Sequence, residues 1–291
     1  MASSAPTSKR RWTVSRPRSG RWPPERLLRT SPRAALLAAF PLILLAVACQ
    51  ATEAPEVETQ DVVSQVPWQD GEVSTYHLED DSGEEAGSGT LTVETEGDSV
   101  ALAQSFVNED NSDRWRISAG ADDLKPAEVV REIHDGDECL ELEVLYAGDF
   151  VEYVFASGGE ARTEGGDVPE NAYDSLSEVF LVRTLAFVDG LDLAANAVFA
   201  ARPDGQPIND FPLFFGVAGP ETVEVPAGRF EAWRILVRGG PGHERIAWVN
   251  VEPPHQLVRF EFVDQLTYLL TEFEAGGSPE AAALPDEPCG D

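Results

Sequence analysis

Histidine, methionine and cysteine are scarce in this chain: its 291 residues include four, one and three of them. The histidines, His77, His134, His243 and His255, stand apart from one another. None falls in a two-histidine helical motif or beside a cysteine at zinc spacing, so no metal centre is expected. There is no nucleophile-elbow serine and no glycine-rich phosphate loop. Zinc hydrolases, α/β-hydrolases and phosphate-loop enzymes therefore lose their usual signatures. No catalytic residue and no cofactor is expected, and the chain reads as a non-enzyme.

Positive charge is nearly absent outside the first 48 residues. Of 21 basic and 52 acidic residues, nine basic and one acidic lie in that front segment, leaving 12 and 51, a net of −39, for the rest. Such a body repels polyanions, which excludes a nucleic-acid partner. Two readings of the acidity stand. One is a solvated surface that keeps an exported protein soluble; the other is adaptation to high salt, where counter-ions screen self-repulsion. Acidic runs at Glu109–Asp113 and Asp135–Glu138 offer oxygen ligands to calcium, but neither has the spacing of a calcium-binding loop.

The basic front end leads into an apolar run of 15 residues, Ala34–Ala48, which stops at Cys49. A membrane-spanning helix needs about 20 such residues, so this run is short for one. A basic flank, an apolar stretch and small residues at its end make an export signal. The close, Ala46-Val47-Ala48-Cys49, resembles a bacterial lipoprotein signal, although Leu45 sits one place further out than in the usual pattern. That resemblance implies cleavage after Ala48 and a diacylglyceryl thioether on Cys49, palmitate being a typical acyl group. A thiolate is the small nucleophile suited to that bond, and two or more acyl chains give stable anchoring. The alternative is an ordinary secretory signal ending beside an incidental cysteine. Residues 1–48 are thus expected as signal peptide and 49–67, acidic with two prolines, as a flexible tether. The location implied is extracytoplasmic, on a membrane of the cell envelope.

Two cysteines remain, Cys139 and Cys289. An exported compartment permits a disulfide between them; two free thiols are the other reading. The disulfide would clip the acidic tail, residues 276–291, onto the body.

Residues 68–275 read as one β-rich domain. In Glu138–Tyr146 (ECLELEVLY), Leu140, Leu142, Val144 and Tyr146 fall on one face and Cys139, Glu141 and Glu143 on the other. Runs at 73–79, 90–95, 99–106, 114–118, 150–156, 231–237, 244–251, 257–263 and 266–273 are rich in aromatic and β-branched residues, with glycine-containing turns between several of them. The expected fold is mainly β: a single antiparallel sheet, curled into a barrel or part-barrel. One helix is expected to plug it. Ser175-Leu176-Ser177-Glu178 has capping-box form, and the residues up to Phe187 are apolar nearly all round, as in a buried helix. Arg183 is the one cation there and needs a partner.

Three stretches are similar to a bacterial family of exported proteins known only as domain of unknown function 3108. They are Tyr173–Leu185 (YDSLSEVFLVRTL), Gly219–Trp233 (GPETVEVPAGRFEAW), and Ile246–Phe262 with Leu266–Phe273. The likeness is strongest in the second half of the body. It implies largely antiparallel β structure and export, and brings no activity with it.

Three functions fit these residues. The first is a module holding a lipid or other hydrophobic small molecule in a curved sheet, with Arg183, Trp233, Trp248 and Tyr268 as expected contacts. The second is an envelope assembly factor that contacts other proteins. The third is a hydrolase of envelope polymers, using paired carboxylates.

Overall fold

Alternating apolar and polar side chains leave a strand one dry face and one wet face, and a sheet of such strands must curl or be covered. The computed structural model describes residues 58–276, except 110, 137, 158–159, 201–208, 240–243 and 264. The signal segment, Cys49 and the tail with Cys289 lie outside the described residues.

Fifteen strands form a single sheet. They are β1 (Glu72–Asp80), β2 (Glu85–Glu96), β3 (Ser99–Val107), β4 (Asn111–Gly120), β5 (Pro126–Asp135), β6 (Glu138–Ala147), β7 (Phe150–Ser157) and β8 (Glu160–Asp167), then β9 (Tyr173–Asp174), β10 (Leu191–Phe199), β11 (Asn209–Val225), β12 (Gly228–Arg238), β13 (Arg245–Asn250), β14 (Leu257–Phe262) and β15 (Leu266–Glu274). Neighbours in sequence are neighbours in space, and β1 pairs with β15 from Val73↔Glu274 to Asp80↔Leu266. Every pair is antiparallel except β9 with β10. The edges are β8 and β9, so the sheet curls without closing. The expected mainly β, single curled sheet with one helix is the architecture found.

The alternation in β6 holds: Leu142 and Val144 are fully buried, while Glu143 and Leu145 face out. The runs read from the sequence do not include β5, β8 or β10, and of β11 only the last residues, Val223–Val225, read as extended. The reasons are local. Alanine-rich β10 (LDLAANAVF) has weak strand propensity. β8 (EARTEGGD) is a polar edge strand. β11 carries Pro212, Gly216, Gly219 and Pro220, and its pairing with β12 shifts register between Ala218 and Pro220. At the β11–β12 turn, Pro226 and Ala227 lie between the paired Val225 and Gly228. Gly228 has φ 138°, open to glycine and strained for other residues.

The plug is shorter than expected. A 3₁₀ turn, Ser175–Ser177, runs into an α-helix of four residues, Glu178–Leu181 (α1), and the chain then leaves as turns. The capping box expected at Ser175 does not form. Asp174 caps instead: its Oδ1 accepts from Leu176 N at 2.8 Å, and Ser177 Oγ donates to Asp174 O at 2.6 Å. Glu178 turns away to Arg245, whose Nε lies 2.6 Å from its Oε1. Phe180, Leu181, Val182 and Leu185 are each fully buried, so packing holds this segment where hydrogen-bonded length does not.

Residues 58–67, read above as the end of a tether, lie against the body. Val62 is 2% exposed. Gln60 N donates to Ala194 O at 2.8 Å on the free flank of β10. Ser64 N and Gln65 N both donate to Thr184 O, and Lys125 Nζ meets Asp61 at 2.7 Å. Trp68 follows, edge-on to Phe180 at 6.3 Å. This strap supplies donors to Thr184 O, in the turns that follow the helix. No helix among the described residues is long and apolar enough to cross a membrane.

Candidate functional site

The inner face of the sheet is one continuous apolar core. At one end it opens into a cavity of about 230 Å³. Trp115 from β4, Phe199 from β10, Phe211 from β11, and Phe260 and Phe262 from β14 face it, together with Leu176 and Val179 of the plug. Strands far apart in the sheet order share these walls, which is what the curl achieves.

Four polar side chains interrupt the walls: Gln104 of β3, Ser175, Glu178 and Arg245. Glu178 and Arg245 form an ion pair, 8% and 7% exposed. Burial raises the Glu178 carboxyl above its usual range, and Arg245 opposes that rise. Arg245 also donates to Gly239 O at 3.3 Å. Gln104 Nε2 donates to the Tyr268 hydroxyl at 3.3 Å. Burial, with Asp113 nearby, keeps that phenol protonated throughout the working pH range. Asp113 is itself held by Arg131 through two hydrogen bonds, 2.9 and 2.7 Å long.

The four expected contact residues do not converge. Tyr268 lies next to the cavity, through Gln104. Arg183 sits in the core, 1% exposed, its Nη1 at 2.6 Å from Glu72 Oε1. Its other donors go to His255 O at 2.8 Å and Pro254 O at 3.1 Å. Trp233 stacks on Phe187 at 5.9 Å. Trp248 belongs to a separate cluster with Val223, Ala232 and Val258, under the guanidinium of Arg259 at 4.7 Å. Sequence reasoning missed Gln104, Glu178 and Arg245 as lining groups. Their signal was an amide or a charge at an inward position of a strand or in an apolar helix.

Cys139 is disulfide-bonded, and its partner cysteine is not among the described residues. Its Sγ lies 3.5 Å from His134 Nε2, and that imidazole also contacts the buried Glu132. Among the described residues no group of three or more His, Cys, Asp or Glu is placed to hold a metal ion. The two acidic runs considered for calcium each include a residue, Asp110 or Asp137, outside the described set. A second cavity, about 110 Å³, is lined by Lys125, Tyr146 and Glu170. Its lysine is already engaged by Asp61 and by Asn171 O at 2.7 Å.

An open, up-and-down antiparallel sheet curled around a short plug, with an apolar cavity at one end, is the class that fold and site define. The chain belongs to the family described as protein of unknown function (DUF3108), whose model matches residues 72–270. Two solved structures are similar to it. One, from Bacteroides fragilis NCTC 9343, is provisionally described as an exported protein with a YmcC-like fold; identity is 12%, coverage 72% of this chain and 97% of the other, and the TM-score 0.27. The other, provisionally described as a lipoprotein, is from Parabacteroides distasonis ATCC 8503, with 12% identity, coverage of 74% and 100%, and a TM-score of 0.29. No curated protein matches the chain.

Proposed function

We propose that this protein is an exported lipoprotein, anchored by acylated Cys49, that holds a hydrophobic small molecule in the cavity between the plug and the curled sheet, without catalysis. The cavity carries the reading. Apolar walls with a few placed polar groups are the usual form of small-molecule sites. Its volume of about 230 Å³ lies below the roughly 300–1,000 Å³ of drug-sized sites, so the ligand is small or enters by one chain. The anchor rests on the sequence: the apolar run ends at a thiol that is followed by an acidic stretch.

Two measurements test this. Intact-mass analysis of the membrane-derived protein is expected to start at Cys49 and to carry the added mass of acyl chains. An unmodified thiol there would remove the anchor. Native mass spectrometry of protein purified from the envelope is expected to show a co-purifying apolar molecule. Its absence, together with no fluorescence change for a neutral apolar probe, would remove the cavity reading.

A further inference from the structure

The charges lining the cavity cancel. Arg245 is the one cation and Glu178 the one anion on its wall, and they are bonded to each other. Arg131 and Asp113, also on the inner face, are likewise paired, and the Asp174 carboxylate, next to Ser175, accepts from the Tyr146 hydroxyl and Leu176 N. An anionic head group entering here would meet Glu178 as well as Arg245, inside low-dielectric walls where an uncompensated charge is costly. It would do so in a body that already carries a net −39 beyond residue 48. A cationic head group would face Arg245 in the same way.

The unspent polarity of the cavity is neutral. Among the described residues no hydrogen bond reaches Gln104 Oε1 or Ser175 Oγ, and both side chains line it. Gln104 is pre-oriented, because its Nε2 is committed to Tyr268. Its Oε1 is an acceptor, and the Ser175 hydroxyl both donates and accepts. Together they match a hydroxyl, ester or amide.

We infer that the cavity selects an uncharged amphiphile: one apolar chain ending in a neutral hydroxyl, ester or amide group read by Gln104 and Ser175, and not a carboxylate or an ammonium. This rests on the cavity being a ligand site, as proposed above. It goes further in assigning the head-group class and the two residues that recognise it.

The test is displacement of the neutral fluorophore N-phenyl-1-naphthylamine at pH 7.5 by 1-octanol, n-octane, octanoate and octylammonium. Wild-type protein is expected to release the fluorophore at concentrations of 1-octanol at least tenfold below those of either ion. Gln104→Leu is expected to weaken 1-octanol by roughly fivefold, the loss of about one neutral hydrogen bond, and to leave n-octane unchanged. Glu178→Gln removes the carboxylate from the cavity wall, and octanoate is then expected to overtake 1-octanol. If Glu178→Gln does not fold, Gln104→Leu carries the test alone. Octanoate or octylammonium binding as well as 1-octanol to the wild type would overturn the head-group assignment while leaving the cavity reading in place. So would a preference for 1-octanol that Gln104→Leu leaves intact. Failure of the fluorophore and all four ligands to bind would instead overturn the cavity reading itself.

Discussion

Asp174 shows how much one side chain carries. It is 0% exposed, caps the plug, and accepts from the Tyr146 hydroxyl at 2.5 Å. Burial raises its pKa to about 6, partly opposed by those hydrogen bonds and by Arg131. The folded value lies above the unfolded one, so between roughly pH 4 and pH 6 the native state holds the extra proton. Stability from this group is therefore present at low pH and is lost as pH rises to 6, by about 3 kcal/mol at 1.36 kcal/mol per unit. Asp174→Asn keeps a capping side chain and is expected to flatten that part of the profile, read by urea unfolding at several pH values. Equal slopes in the two proteins would refute the assignment.

Arg183 and Glu72 make the second case at this scale. Arg183→Met strands a buried carboxylate and is expected to cost about 3–5 kcal/mol. Glu72→Leu with Arg183→Met is expected to recover most of that, because a buried pair adds little net stability over a packed apolar replacement. Glu72 Oε2 already lacks a hydrogen-bond partner among the described residues. The need for a partner to Arg183 was legible in the sequence, since a lone guanidinium in an apolar segment cannot be left bare. That the partner is Glu72, about 110 positions away in the chain, was not legible: only the curl brings β1 under the plug.

At the scale of elements, the strap and the plug depend on each other. Val62 of the strap packs into the core, and its N–H is 3.4 Å from the Tyr173 hydroxyl. Val62→Ala is expected to cost roughly 1.5–2.5 kcal/mol, from about 0.8 kcal/mol per buried methylene plus a cavity term. Removing residues 58–67 is expected to cost considerably more, because it also strips donors from Thr184 O and Leu185 O. A melting temperature unchanged by either variant would place the strap outside the folded unit. An acidic, proline-containing segment reads locally as unstructured, and its few apolar residues gain meaning only when a sheet edge and a plug are there to receive them. The plug shows the converse. Its apolar residues were legible and its burial followed, but its length was not: Asp174 takes the N-cap position and Arg245 takes the Glu178 carboxylate, so the capping box read at Ser175 does not form.

For the whole molecule, net charge and redox state matter most. With a net −39 beyond residue 48, self-repulsion acts over a Debye length of about 30 Å at 0.01 M salt and about 3 Å at 1 M. The melting temperature is expected to rise across that range of NaCl; a flat or falling value would favour a surface whose acidity serves solubility alone. Cys139 is oxidised, and acylation would occupy the sulfur of Cys49. Peptide mapping without reductant is then expected to link Cys139 to Cys289. A link from Cys139 to Cys49 would contradict both the staple and the anchor. At the open edges, β8 presents the ion pair of Arg162 with Glu164, whose Nε and Oε1 lie 2.9 Å apart, a form of charge that discourages edge-to-edge pairing.

Local chemistry was sufficient for the strand periodicity and for the apolar plug. Period-two alternation and an uninterrupted apolar run are properties of neighbouring residues, and neighbouring residues are what a sequence displays. Only the tertiary structure decided that the sheet stays open between β8 and β9, that the strap is docked, and that Gln104, Ser175, Glu178 and Arg245 meet around one cavity. Those residues come from separate strands and from the plug, and no pattern within any one segment encodes a meeting that the curl of the sheet creates.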